Sequence, residues 1–241
     1  MRVKGGKSIY GASIGILMLD AHFPRINGDM GNALTWPFPV HYQIVRNASP
    51  DKVVRGGAQN MLDDFISAGR SLVKDGVDGI TTNCGFLSLF QDELSEALKV
   101  PVATSSLMQT RLVNSLLPEG KKAGILTICK SALTSEHLRA ADVPDGTPIE
   151  TTEGLREFSR VILDNETEMD VELACQDNVD AAIKLAAHDE VGAIILECTN
   201  MVPYADAIRE ATQLPVFSIY NFILWFQAGL VPRPFLKSSF K

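Results

Sequence analysis

Short apolar runs bounded by Gly, Pro and Asp alternate along this chain with longer segments in which apolar residues recur every three or four positions. That alternation is the signature of an α/β protein with mostly parallel strands. Strands are expected at 13–19, 40–45, 79–82 and 101–103, with helices at 57–74, 87–99 and 106–117. The pattern then restarts. Ala123-Gly124-Ile125-Leu126-Thr127-Ile128 echoes Ile14-Gly15-Ile16-Leu17-Met18-Leu19, and helices at 132–141 and 165–188, a strand at 193–196, a helix at 202–212, a strand at 216–218 and a helix at 220–228 follow. The predicted fold class is α/β with two pseudo-symmetric lobes, each a mostly parallel sheet flanked by helices, and a site in the cleft between them. The lobes are expected at 1–118 and 119–241, with the C-terminal helix free to pack across. The acidic stretch 165–188 reads as one long amphipathic helix whose Val171, Cys175, Val179, Ile183 and Ala186 face the sheet while its carboxylates face water.

The restart places Cys84 and Cys198 at equivalent positions. Each ends a short apolar run, and each is followed 17 residues later by a proline, Pro101 or Pro215, that opens the next strand. Ligands in open α/β sheets bind at the carboxyl ends of strands, where loops turn into helices. A helix N-terminus there is expected to lower a thiol's pKa toward neutrality and supply a thiolate base. Gly85 and Phe86 on one side, and Thr199 and Asn200 on the other, are the natural set for receiving a carboxylate or a developing enolate. Two thiols on opposite faces of a small acid could remove an α-proton from one face and return one to the other, inverting the centre. Read alone, each cysteine would pass for a small buried apolar residue. Their matched register in a repeat is what favours chemistry.

Composition narrows the alternatives. The 241 residues are 46% hydrophobic and 21% charged, enough for a sizeable core. The net charge of −7, with no run of Lys or Arg, argues against nucleic acid as a partner. Four cysteines without CxxC pairs and four scattered histidines give no zinc spacing, so no metal is expected. Gly6-Lys7-Ser8 lacks the earlier glycine and the preceding strand of a phosphate loop, and no cofactor is expected. Few cysteines for this length suggest reduced thiols in a cytoplasm. No apolar run approaches the roughly 20 residues that span a bilayer, and the apolar start at 13–19 reads as a first core strand. Phe222-Ile223-Leu224-Trp225-Phe226 suits a core helix or a contact in a homo-oligomer.

Thr82-Asn83-Cys84-Gly85 and Glu197-Cys198-Thr199-Asn200, with Pro203, resemble the two cysteine motifs of the aspartate/glutamate/hydantoin racemase superfamily, over most of the chain from Ile14 to about Gln227. The resemblance implies a two-lobed pseudo-symmetric fold, cofactor-independent racemisation, Cys84 and Cys198 as the acid–base pair, and Asn83 in the substrate site. It also makes Asp20, which trails the first strand, a candidate beside the site. Typical glutamate racemases carry Asn-Thr after the first cysteine and His two places after the second. Gly85-Phe86 and Asn200 replace them here, and Phe86 at the mouth points to a less polar ligand, hydantoin-like or arylmalonate-like. The Gly- and Pro-rich loop 21–39 leaves the first strand beside the cleft, and its Arg25 is a candidate for a substrate carboxylate, with an ion pair to Asp29 or a subunit contact as the alternatives. The leading expectation is a racemase or epimerase of a small carboxylate or cyclic amide. The runners-up are a decarboxylase or cis-trans isomerase of the same fold using one cysteine, and a non-catalytic binding protein for a small ligand.

Overall fold

The computed structural model of the protein describes residues 2–234. The first sheet holds β1 (Ile14–Leu19), β2 (Val40–Val45), β3 (Gly79–Thr82) and β4 (Val102–Ala103), in the order β2-β1-β3-β4. The second holds β5 (Lys122–Thr127), β6 (Ile149–Thr151), β7 (Val191–Leu196) and β8 (Val216–Phe217), in the order β6-β5-β7-β8. Every pairing is parallel. The two halves therefore share one topology, as the restart at residue 123 implies. All six residues of β1 are buried, the expected fate of a strand covered on both faces.

The helices are α1 (Pro50–Val54), α2 (Leu62–Asp75), α3 (Gln91–Leu98), α4 (Thr110–Leu116), α5 (Ser135–Ala140), α6 (Phe158–Leu163), α7 (Val171–Ala186), α8 (Ala205–Thr212) and α9 (Ile219–Leu230). Two helices cross between the halves. Val113 of α4, which follows the first sheet in sequence, packs with Ala123, Ala193 and Ile195 of the second. In return, Ile219 and Ile223 of α9 pack with Ile14 and Ile16 of the first. Trp225 on the other side of α9 stays exposed and stacks on Phe222, ring centroids 5.7 Å apart.

The acidic helix starts later and faces differently than its sequence suggests. Asn165 takes a left-handed conformation (φ 56°), and α7 begins only after Asp170, whose carboxylate accepts from the amides of Glu172 and Leu173 at 3.0 Å. Val171 and Ile183 are exposed, Cys175 and Val179 pack against the core as expected, and the buried stripe is Ala174, Asn178, Ala181, Ala182 and Leu185. Small residues let this helix lie close to the sheet, where Leu185 sits over Gly124 so tightly that a Cβ there would meet it at 2.8 Å. Asp177, expected among the solvated carboxylates, is fully buried. It accepts from the amides of Glu157 (2.6 Å) and Phe158 (3.0 Å) and from the Arg156 guanidinium. Burial opposes its ionisation, but these donors together outweigh it and hold the carboxyl below its ordinary pKa.

Candidate active site

The two cysteines occupy matching turns at the carboxyl ends of β3 and β7. Asn83 N–H donates to Leu17 O at 3.0 Å, and Glu197 N–H donates to the equivalent Leu126 O at 2.9 Å. One residue later each chain turns into a six-residue 3₁₀ segment, Gly85–Phe90 or Thr199–Tyr204, before α3 or α8 begins. The turns are tied together across the halves. Thr199 Oγ1 donates to Asn83 O at 2.6 Å, and Ser106 Oγ donates to Leu196 O at 2.5 Å.

Between the turns lies a tight pocket of about 20 Å³, roughly the room of one water molecule. Asn83, Cys84, Gly85 and Phe86 wall it from the first half, and Glu197, Cys198, Thr199 and Asn200 from the second. The remaining lining, including Leu19, Phe23, Val54, Ile128 and Ile162, is apolar, and no Lys, Arg or His among the described residues takes part. Phe86 is a floor residue, not a residue of the mouth. It is 1% exposed and meets the His137 ring edge-on at 5.0 Å between centroids.

The thiols do not follow the helix-terminus expectation. Cys84 and Cys198 are 8% and 6% exposed, and burial pushes the Cys84 thiol up to about 12, with the Glu197 carboxylate adding to it. Cys198 is raised well above its ordinary value by burial first, then by Glu197 and by charge on Cys84. Amide N–H groups of Phe86 and Leu87 favour the Cys84 thiolate, and that of Asn200 favours the Cys198 thiolate. Short 3₁₀ turns offer too few aligned peptide dipoles to overcome desolvation. Since each thiolate would raise the other's pKa, the pair carries at most one negative charge near neutral pH.

Side-chain hydrogen bonds make the thiols unequal. Asn200 Nδ2 donates to Asp29 Oδ2, and since a carboxylate only accepts, the amide oxygen of Asn200 must face the other way. That oxygen takes the Cys198 S–H at 3.5 Å, which favours the protonated thiol. Asp29 is 3% exposed and is held by Arg25 Nη1 at 2.8 Å and the Gly31 amide at 2.7 Å. Arg25 thus reaches Cys198 through Asp29 and Asn200 and does not itself line the pocket. Its guanidinium also lies over Phe23, 4.5 Å from the ring centroid. Asp20 stands outside the wall, paired with Arg46 at 3.0 Å.

Glu197, directly before the second cysteine, is the one carboxyl group of the pocket wall among the described residues. It is fully buried, its Oε2 accepts from Thr127 Oγ1 at 2.8 Å, and Oε1 has no hydrogen-bond partner among the described residues. Burial pushes its pKa up to about 7. A Cβ on Gly85 would stand 2.1 Å from Oε1 and 2.4 Å from the Glu197 carbonyl oxygen, so a residue without a side chain is required there. The groups of at least three His, Cys, Asp or Glu that a metal would need do not occur among the described residues. No helix there is long and apolar enough to cross a membrane.

Solved structures share this double parallel architecture. Allantoin racemase from Klebsiella pneumoniae superposes with a TM-score of 0.62 at 17% identity, covering 91% of this chain and 88% of that one. Glutamate racemase RacE1 from Bacillus anthracis gives 0.56 at 16% identity over 92% of this chain and 85% of that one. Arylmalonate decarboxylase gives 0.55 at 18% identity over 91% and 92%. The chain has the fold of the aspartate/glutamate/hydantoin racemase superfamily. Within that superfamily fold, sequence similarity points to another set of proteins. A dimethylsulfoniopropionate lyase of Durusdinium sp. clade D is 27% identical over 92% of this chain and 76% of its own length. Dimethylsulfoniopropionate lyase 7 of Emiliania huxleyi (strain CCMP1516) is 28% identical over 92% of this chain and 68% of its own. No protein-family model matches the chain.

Proposed function

We propose that this protein is a cofactor-independent lyase that removes the α-proton of a small carboxylate and expels a β-sulfonium group, with dimethylsulfoniopropionate as its substrate. The observation that carries the reading is the pair of thiols, one from each half, on the wall of a single buried pocket. A thiolate takes a proton from C2, the C–H electron pair becomes the C2=C3 double bond, and the C3–S pair leaves with dimethyl sulfide. Acrylate remains, and the proton rests on the cysteine until solvent accepts it. Cys84 is the base in this account, because amide N–H groups favour its thiolate while Asn200 holds Cys198 as the thiol. The apolar lining at Leu19, Phe23 and Val54 suits the two S-methyl groups. Backbone amides of the cysteine turns receive the carboxylate, whose oxygens take up charge as the proton leaves.

Similarity to the named lyases supports elimination over racemisation. A racemase remains the second reading on one specific observation: elimination needs a single base, and the site has two thiols at matched register. The two readings separate in heavy water. Wild type, Cys84→Ser and Cys198→Ser are incubated with dimethylsulfoniopropionate and, separately, with chiral amino acids and hydantoins. The lyase reading expects dimethyl sulfide and acrylate from wild type and from Cys198→Ser, and none from Cys84→Ser. Inversion with deuterium incorporation and no dimethyl sulfide would replace it with the racemase.

A further inference from the structure

We propose that Glu197 is the counter-ion of a cationic onium group on the substrate, and so selects zwitterions over plain carboxylates at this pocket. The inference deepens the lyase reading and rests on it. The first support is a comparison inside the molecule. In the first half the residue before the cysteine is Asn83, whose Oδ1 accepts the Leu19 amide at 2.7 Å. In the second half Glu197 occupies that place, and its side chain receives the equivalent amide, that of Ile128, together with Thr127 Oγ1. A neutral amide suffices for this structural task in one half. The carboxylate in the other goes beyond it, at the cost of burying a charge.

The second support is the unused oxygen. Oε1 is buried without a partner among the described residues, and it lies against Gly85, itself part of the pocket wall. Among the described residues the pocket wall supplies no cation to answer it. Arg25 is engaged by Asp29 on the far side of Asn200. A sulfonium or ammonium group offers charge without an N–H or O–H requirement at its methylated face, which suits an oxygen approached between apolar walls. The arrangement also couples recognition to chemistry. Glu197's charge raises both thiols, so an onium group beside it cancels that field and favours the thiolate only when the proper substrate is bound.

The test compares dimethylsulfoniopropionate with 4-methylpentanoate, which has the same shape with carbon in place of the sulfonium. Binding of both is measured by calorimetry at pH 8 on full-length Cys84→Ser protein, where turnover is blocked. The measurement is repeated with Glu197→Gln or Glu197→Asp added, each checked for folding by circular dichroism. With Glu197 or Asp the onium compound should bind at least about tenfold tighter than the neutral one. With Gln the preference should collapse to within about twofold, the neutral compound's affinity being unchanged. A preference retained by the Gln protein, or absent with Glu197 in place, overturns the inference. Wild-type release of dimethyl sulfide tests the lyase reading separately: release with a retained preference sinks the counter-ion alone, and no release with no binding sinks both.

Discussion

The Cys84 turn and the Cys198 turn are built on the same frame and differ in what surrounds the sulfur. Both end a parallel strand, both make the same backbone bond to the neighbouring strand, and both open a six-residue 3₁₀ segment. Around Cys84 the neighbours are an amide side chain, a glycine and a buried phenylalanine. Around Cys198 they are a carboxyl group and an asparagine fastened through Asp29 to Arg25. The lesson is that duplication supplied two thiols, while unequal second-half substitutions gave them different protonation preferences. A symmetric frame thereby holds a directional site.

The largest expected effect comes from removing the sulfur that acts as base. Cys84→Ser should lower dimethyl sulfide release by about 100-fold or more, the lower range for a positioned acid–base group, whereas Cys198→Ser should keep measurable release, since elimination needs one base. Gas chromatography of the headspace measures it, and alkylation by iodoacetamide should mark Cys84 before Cys198. Reversal of that order would invert the assignment of base and thiol.

Next in size is the glycine. Gly85→Ala should destabilise the fold by roughly 3 kcal/mol or more, because the new Cβ meets a main-chain carbonyl that cannot swing aside. Its counterpart Thr199→Ala only loses a hydrogen bond to Asn83 O, and about 1 kcal/mol is expected. Urea unfolding of the two variants checks the contrast, and equal losses would contradict it.

Glu197 gives an effect of opposite sign. Its pKa in the folded protein, about 7, lies above that of an unfolded glutamate. The folded state therefore binds more protons between the two values, and stability is lost as pH rises through that window. Glu197→Gln should raise stability at pH 8 by on the order of 3 kcal/mol and leave it little changed at pH 4, as read from melting curves. His137 acts the other way. Burial depresses its pKa to about 4, so its contribution is complete above the unfolded value and disappears as pH falls toward 4. The smallest effect is expected from Asn200→Ala. Freed from an acceptor, Cys198 should be alkylated severalfold faster, with little change at Cys84.

Much of this comparison was legible in the chain itself. Apolar runs placed seven of the eight strands within a few residues, because strands buried on both faces leave a continuous hydrophobic mark. β6 is three half-buried residues, too few to show a period. On α7 the expected face is shared: Cys175 and Val179 pack against the core, while bulky Val171 and Ile183 point outward and alanines make the tight contact. A C-terminal helix that packs across accords with the sequence, whereas the packing of α4 on the second sheet depends on tertiary contacts that periodicity does not encode. In the site, the cysteines and their flanking residues could be found from the repeat, and the Arg25–Asp29 pair from its spacing, whereas the link from Asp29 through Asn200 to Cys198 could not. Glu197 carried a signal that comparing the two halves reveals: it faces Asn83 across the repeat, a charge where its counterpart has none.

The most direct test of the central claim is the rate of dimethyl sulfide release from dimethylsulfoniopropionate against its 2,2-dideuterated form. If a cysteine thiolate removes the α-proton, the deuterated compound should react several times more slowly, and Cys84→Ser should abolish release from both. Equal rates from the two compounds, or release that survives loss of Cys84 and Cys198 together, would contradict it.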